Sequence, residues 1–318
     1  MNKAVFILSA ALVLGVIFGS CYSTQDGFQR LVELHPELAD ASTPDGGGVA
    51  TRCRLAGDAG VFDGGPKCNV DFGSYAMDGI SGHWAMCLAQ DGTMEPVRGA
   101  GTWNLTVNDI FTIDIGDDKK TAVMTFATQY PVADGNPKKL QTTIYPQLRQ
   151  ALDQNNVLVR IPLAGDGTFA APNIPWFWGV HVELMPNPLT DPLPSIDDLS
   201  DPRIWDQDND SLPGVTVGCK VVLSPMIKTE GNRYMSRRSI WQFSNGAVMP
   251  DKKWYKGDLG FVINESALGG TTSELKTIAP ITPNPTGSYY LFRKIKDEYD
   301  AEWLSACWPA VFQDAPPD

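Results

Sequence analysis

The chain has 318 residues, 43% of them hydrophobic, with 37 acidic against 25 basic side chains and a net charge of −12. That is enough chain for one large β domain or two smaller ones. An acidic balance argues against nucleic acid as a partner, because such binding depends on basic surface that displaces counterions. It also removes electrostatic attraction to anionic lipid as a means of attachment.

The first element is the opening stretch MNKAVFILSAALVLGVIFGSCYSTQ. Lys3 precedes a run of apolar or small residues from Ala4 to Phe18, and Gly19, Ser20 and Cys21 follow. The run is shorter than the roughly 20 apolar residues of a spanning helix. A basic start, a short apolar core and small residues ahead of a cleavage point predict an export signal over 1–20. With Cys21 directly after Gly-Ser, the segment resembles a bacterial lipoprotein signal. The resemblance implies cleavage before Cys21, a diacylglycerol on its thiol, and a cell-envelope protein held to the lipid bilayer by its acyl chains. Tyr22 stands where a retention aspartate would be, which favours the outer membrane.

Residues 21–78 are dense in glycine and proline and predict a flexible stalk, or equally a loop stapled to the domain through Cys53 and Cys68. A short helix is expected within it over 28–38, FQRLVELHPEL. The chain has six cysteines, and an exported protein meets oxidising conditions that favour disulfides. With Cys21 lipidated, five remain and one has no partner within the chain. Cys53 and Cys68 bracket a glycine-rich loop and are the first expected pair; Cys219 and Cys307 are the second. Spacing does not settle the pairing.

From about residue 79 the texture changes, and 79–318 reads as one antiparallel β domain. Short runs alternate apolar and polar residues, with turn residues between them. They are TWNLTV (102–107), DIFTIDI (109–115), TAVMTFATQ (121–129), LQTTIYP (140–146), NVLVRIPL (156–163) and WGVHVELM (178–185). GVTVGCKVVL (214–223), RYMSRRSIWQF (233–243), LGFVIN (259–264) and SYYLFRKI (288–295) complete the set. Some eight to ten strands without a long helix between them predict a barrel or a sandwich. Only DEYDAEWLSACW (297–308) has a helical pattern, and a long proline-rich and Asp-rich connection over 186–213 divides the strands. Gly82-His83-Trp84 and Gly101-Thr102-Trp103, with Arg293 near the end, resemble the lipocalin arrangement. The resemblance implies a closed barrel in which a first-strand Trp carries Arg293 from the last strand, a cation–π contact.

Within the connection, Asp206, Asp208 and Asp210 alternate with amides and run into Ser-Leu-Pro-Gly. Calcium takes six to eight oxygens at about 2.3–2.6 Å, and alternating carboxylates on a tight turn supply several. The pattern resembles the first half of the calcium loops of EF-hands and dockerins. Ser211 replaces their glycine and Val217 their bidentate glutamate, so further ligands are needed, with Asp201 a candidate. The alternative is a solvated acidic turn. Asp-x-Asp-x-Asp followed by Leu-Pro-Gly-Val-Thr-Val also resembles a group of exported bacterial lipoproteins, which implies no particular activity.

Trp84, Trp176, Trp178 and Arg293 are the candidate ligand-binding residues, as a cluster able to line an apolar cavity; the alternative is ordinary core. His35, His83 and His181 are accompanied by no Gly-x-Ser-x-Gly elbow, no His-Glu-x-x-His helix and no Cys-x-x-Cys pair. The expected function is therefore non-enzymatic: binding a small apolar ligand, or an envelope partner, from a lipid anchor. The rivals are an envelope-polymer hydrolase with carboxylates in a cleft and a structural or adhesive surface module.

Overall fold

A computed structural model describes residues 80–96, 101–154, 159–162, 169–224 and 226–316, together with Cys53, Cys68, Val70 and Phe72. The export signal, Cys21 and the expected helix at 28–38 lie outside the described residues.

Among the described residues eleven strands form a single antiparallel sheet. In chain order they are β1 (Gly82–Met94), β2 (Trp103–Ile115), β3 (Thr121–Ala133), β4 (Leu140–Ile144), β5 (Val159–Pro162) and β6 (Ala171–Trp178). Then come β7 (Val215–Ser224), β8 (Ile227–Val248), β9 (Trp254–Gly270), β10 (Ile281–Pro283) and β11 (Tyr289–Lys294). Among the described residues two α-helices accompany them, α1 (Pro146–Gln154) and α2 (Ala301–Val311). The ladder runs β4-β7-β8-β9-β11-β1-β2-β3-β5, with β10 beside β1 and β6 beside β8.

The mainly β reading and the C-terminal helix hold, while the closed lipocalin-like barrel does not. The hydrogen-bonded ladder ends at β4 and β5 and never closes. The sheet is nevertheless strongly curled: Met124 and Phe126 of β3 share one apolar core with Val215 and Val217 of β7, near the other end of the ladder. Helix α1 links the two edge strands in sequence and buries Leu148 and Leu152 in that same core. Apolar side chains, rather than ladder hydrogen bonds, serve the seam there. Pro146 begins α1, where its missing N–H costs nothing.

Strands β2, β3, β8 and β9 are longer than the sequence segments suggest, while β4, β5 and β11 are shorter. TWNLTV and DIFTIDI are one continuous strand, β2, and β8 extends over 22 residues. The run at 178–185 is a correction. Trp178 ends β6, and Val182–Leu184 forms a 3-10 turn. Proline and asparagine in APNIPWFW masked a strand that lies at the side of the ladder, where proline is tolerated.

A second apolar layer lies outside the curl, where α2 covers β1, β2 and β3 through Leu304, Trp308 and Val311, with Trp308 against Tyr130 of β3. Small residues on the outer face of β1, Ala85, Cys87 and Ala89, leave room for it. Asp300 caps α2 by accepting a hydrogen bond from the Trp303 N–H. Both disulfides sit in this layer. Cys53 bonds Cys87 of β1, and Cys68 bonds Cys307 of α2. This replaces the expected pairs, and Cys219 is a free buried thiol. Cys219 faces the inside of the curl and Cys307 the outer layer, so the sheet itself separates them. The described residues of the stretch read as a stalk are fastened here: Cys53 is fully buried, and Val70 and Phe72 pack on the same layer.

Candidate functional site

Alternation along each strand decides what enters the curl. In β2 the inward residues run Leu105, Val107, Asp109, Phe111, Ile113, and a carboxylate interrupts an apolar face. In β8 the inward run is Met235, Arg237, Ser239, Trp241, Phe243. Gln90 of β1, Gln129 of β3 and Glu265 of β9 occupy matching inward positions. Five strands thus place polar groups at one level of the interior.

These groups satisfy one another. Arg237 Nη2 donates to Asp109 Oδ2 at 3.2 Å, and its Nε donates to Ser239 at 2.9 Å. Gln90 and Gln129 donate to the two Asp109 oxygens at 2.6 and 2.7 Å. Trp241 Nε1 donates across the interior to Gln90 at 3.0 Å. Glu265 sits opposite Arg237 on the ladder, 3.7 Å from its Nη1. Asp109 and Arg237 are 0% and 1% exposed, so each charge depends on the other for compensation.

On one side of this belt the interior is filled with interlocked rings. Phe111, Trp176 and Trp241 meet edge-on or tilted at 5.3–5.5 Å, and Phe169, Phe243, Tyr290 and Phe292 continue the packing. On the other side the interior opens into a cleft of about 1090 Å³. Its floor is Gln129, Trp178, Arg237 and Glu265. Leu105 and Val107 of β2, Val217 and Val221 of β7, Met235 of β8 and Ile263 of β9 give its walls an apolar part, and Glu95, Lys228, Arg233 and Glu274 also line it. Exposed Met226 and the segment running into β10 line its outer part. Cys219 is on the wall, and burial pushes its thiol pKa up, so it stays protonated.

Of the four candidate ligand-binding residues, only Trp178 lines the cleft, with the Arg237 guanidinium 5.0 Å from its ring centre. Trp176 and Trp84 are packed in the core, and Trp84 Nε1 donates to the Ile80 carbonyl at 3.0 Å. Arg293 is on the opposite face. The ladder pairs Trp84 with Lys294, so period-two alternation turns Arg293 outward, away from Trp84. There it bonds Asp314 and the Val311 carbonyl and lies over Trp254 and Phe72. The expected contact between Arg293 and a first-strand Trp is therefore replaced by a clamp on the C-terminal segment. Missed from sequence were Asp109, Arg237, Gln90, Gln129 and Glu265. Their signal was a polar residue at an inward position of an otherwise apolar alternation.

The histidines do not meet. His83 contacts Asp114 at 2.6 Å and the Tyr299 carbonyl at 2.9 Å. Burial lowers its pKa, but those two partners outweigh burial and raise it above the ordinary value. His181 bonds Glu183 and stacks on Trp205.

The three aspartates of the connection converge. One carboxylate oxygen from each of Asp206, Asp208 and Asp210 lies within 4.8 Å of the others. The Asp210 and Ser211 N–H groups donate to Asp206, and the Thr216 N–H donates to Asp208 Oδ2. Ser211 adopts φ +68°, the conformation that glycine supplies in the loops this turn resembles. Burial, with the Asp210 and Asp206 charges adding to it, raises the Asp208 pKa to about 6. Asp201 is not available to the cluster, because Arg203 holds both its oxygens at 2.6–3.1 Å.

Comparison with protein-family models, curated proteins and solved structures finds no match to this chain.

Proposed function

We propose that this is an exported, lipid-anchored protein that binds a small, largely apolar ligand in the cleft above the Asp109–Arg237 belt. The observation that carries this reading is the cleft itself. A volume of about 1090 Å³ with aliphatic side chains on its walls, a polar floor, and Glu95, Lys228, Arg233 and Glu274 also in its lining has the character of a small-molecule site. The wall supplies desolvation and the floor orients one polar end of the ligand. The hydrolase alternative needs two carboxylates open to substrate. Glu95, Glu265 and Glu274 line the cleft, and Glu265 at its floor is paired with Arg237 at 3.7 Å, which favours an orienting role for that carboxylate over hydrolysis. The anchor rests on the apolar run 4–18 and on Cys21 after Gly19-Ser20; among the described residues no helix is long and apolar enough to cross a membrane. The proposed location is the bacterial cell envelope, in the outer membrane.

The test is titration with an apolar dye whose fluorescence rises on leaving water. One saturable site per chain is expected. Val221→Trp fills the cleft from its wall and should weaken binding by about tenfold or more. Equal dye affinity in the variant, with an unchanged circular dichroism spectrum, would remove the cleft from the account.

A further inference from the structure

We propose that the turn carrying Asp206, Asp208 and Asp210 is a calcium site, and that the ion locks the 186–213 connection onto the sheet. Three converging carboxylates alone would be a common acidic surface feature. The independent observation is Asp208: the residue is 7% exposed, and its Oδ1 is cut off from solvent with no hydrogen-bond donor. A buried carboxylate oxygen with no donor is costly unless a cation compensates it. No lysine, arginine or histidine forms an ion pair with any of the three aspartates among the described residues.

The donor set selects the metal. Only oxygen ligands converge, which excludes a zinc site built on sulfur or imidazole. An irregular turn with carboxylates at alternate positions suits the variable coordination of calcium better than the strict octahedron of magnesium. Val217 is buried on β7, so the remaining positions fall to backbone carbonyls and water.

The surroundings say what the ion would fasten. Gln207, between two of the aspartates, accepts from the Gly179 N–H just after β6 and donates its own N–H to the Gly214 carbonyl just before β7. A Cβ on Gly214 would stand 2.4 Å from the Met235 carbonyl and one on Gly179 2.8 Å from it, so the backbone just before β7 and just after β6 is pressed against β8. Val180 bridges Ile204, and Arg238 of β8 donates to the Pro188 and Asp191 carbonyls. The connection therefore lies along the sheet at several points, with the acidic turn as its last fastening before β7.

The experiment uses the purified full chain stripped with chelator, with terbium and calcium as probes. Trp205 directly precedes Asp206 and serves as the sensitiser. The expected result is saturable terbium emission excited through tryptophan, suppressed by excess calcium. Emission should fall by about tenfold or more in Asp208→Asn. Calcium should also raise the wild-type melting temperature and slow trypsin cleavage after Arg203. Because the wild-type readings stand without any variant, misfolding of Asp208→Asn does not protect the proposal. Wild-type protein with no sensitised emission, or with the same melting temperature in millimolar calcium and in chelator, would overturn it.

Discussion

Asp109 and Arg237 set the character of the interior. Burying two charges is tolerable only while each keeps its partner, and Gln90, Gln129 and Ser239 use the remaining lone pairs and donors. Asp109→Asn is nearly isosteric yet turns an acceptor into a donor facing two amide donors. Its expected cost is about 3–5 kcal/mol in urea unfolding. Asp134→Asn, which breaks the partly exposed pair with Lys139, should cost no more than about 1 kcal/mol in the same measurement. Similar losses for both variants would mean that the buried belt contributes no more than an exposed ion pair. These belt residues were legible only as irregularities. Alternation shows that Asp109 shares a face with Val107 and Phe111, but Arg237 lies 128 residues away, and their meeting depends on how far the sheet curls.

At the scale of elements, the long alternating runs were readable because period two survives without tertiary context. Strands β2, β3, β4, β5, β7, β8, β9 and β11 and helix α2 all overlap the segments expected from sequence, while the long strand β1 overlaps none of them. Helix α1 and strands β6 and β10 were not readable. They are short, carry proline, and owe their form to neighbours that propensity does not see. The disulfides belong to this scale too. Cys68–Cys307 ties a residue preceding β1 to α2 across 239 residues of chain, and such a long loop constrains the unfolded state strongly. Cys307→Ser is expected to lower stability by about 4 kcal/mol, read as a lower denaturant midpoint. An unchanged midpoint in oxidising buffer, with Cys68 reactive to thiol reagents in both proteins, would show that the bond is not formed in solution.

For the whole molecule, the design is an open sheet curled around two unlike compartments, with rings filling one and a cleft occupying the other. The proposed anchor belongs to this scale because it would set the compartment in which the cleft meets its ligand. Cys21→Ser should move the protein from the membrane fraction to the soluble fraction on cell fractionation; continued retention would rule out lipidation at that residue. The amino-acid order by itself determined the β class, the C-terminal helix and the acidic turn, since alternation, capping and adjacent charges are local properties. Tertiary structure alone decided that the barrel stays open, that Cys53 and Cys68 each find partners far along the chain, and that Arg293 turns outward while Arg237 turns in. Those outcomes depend on ladder register and curl, which arise when distant strands meet, and no single segment encodes them.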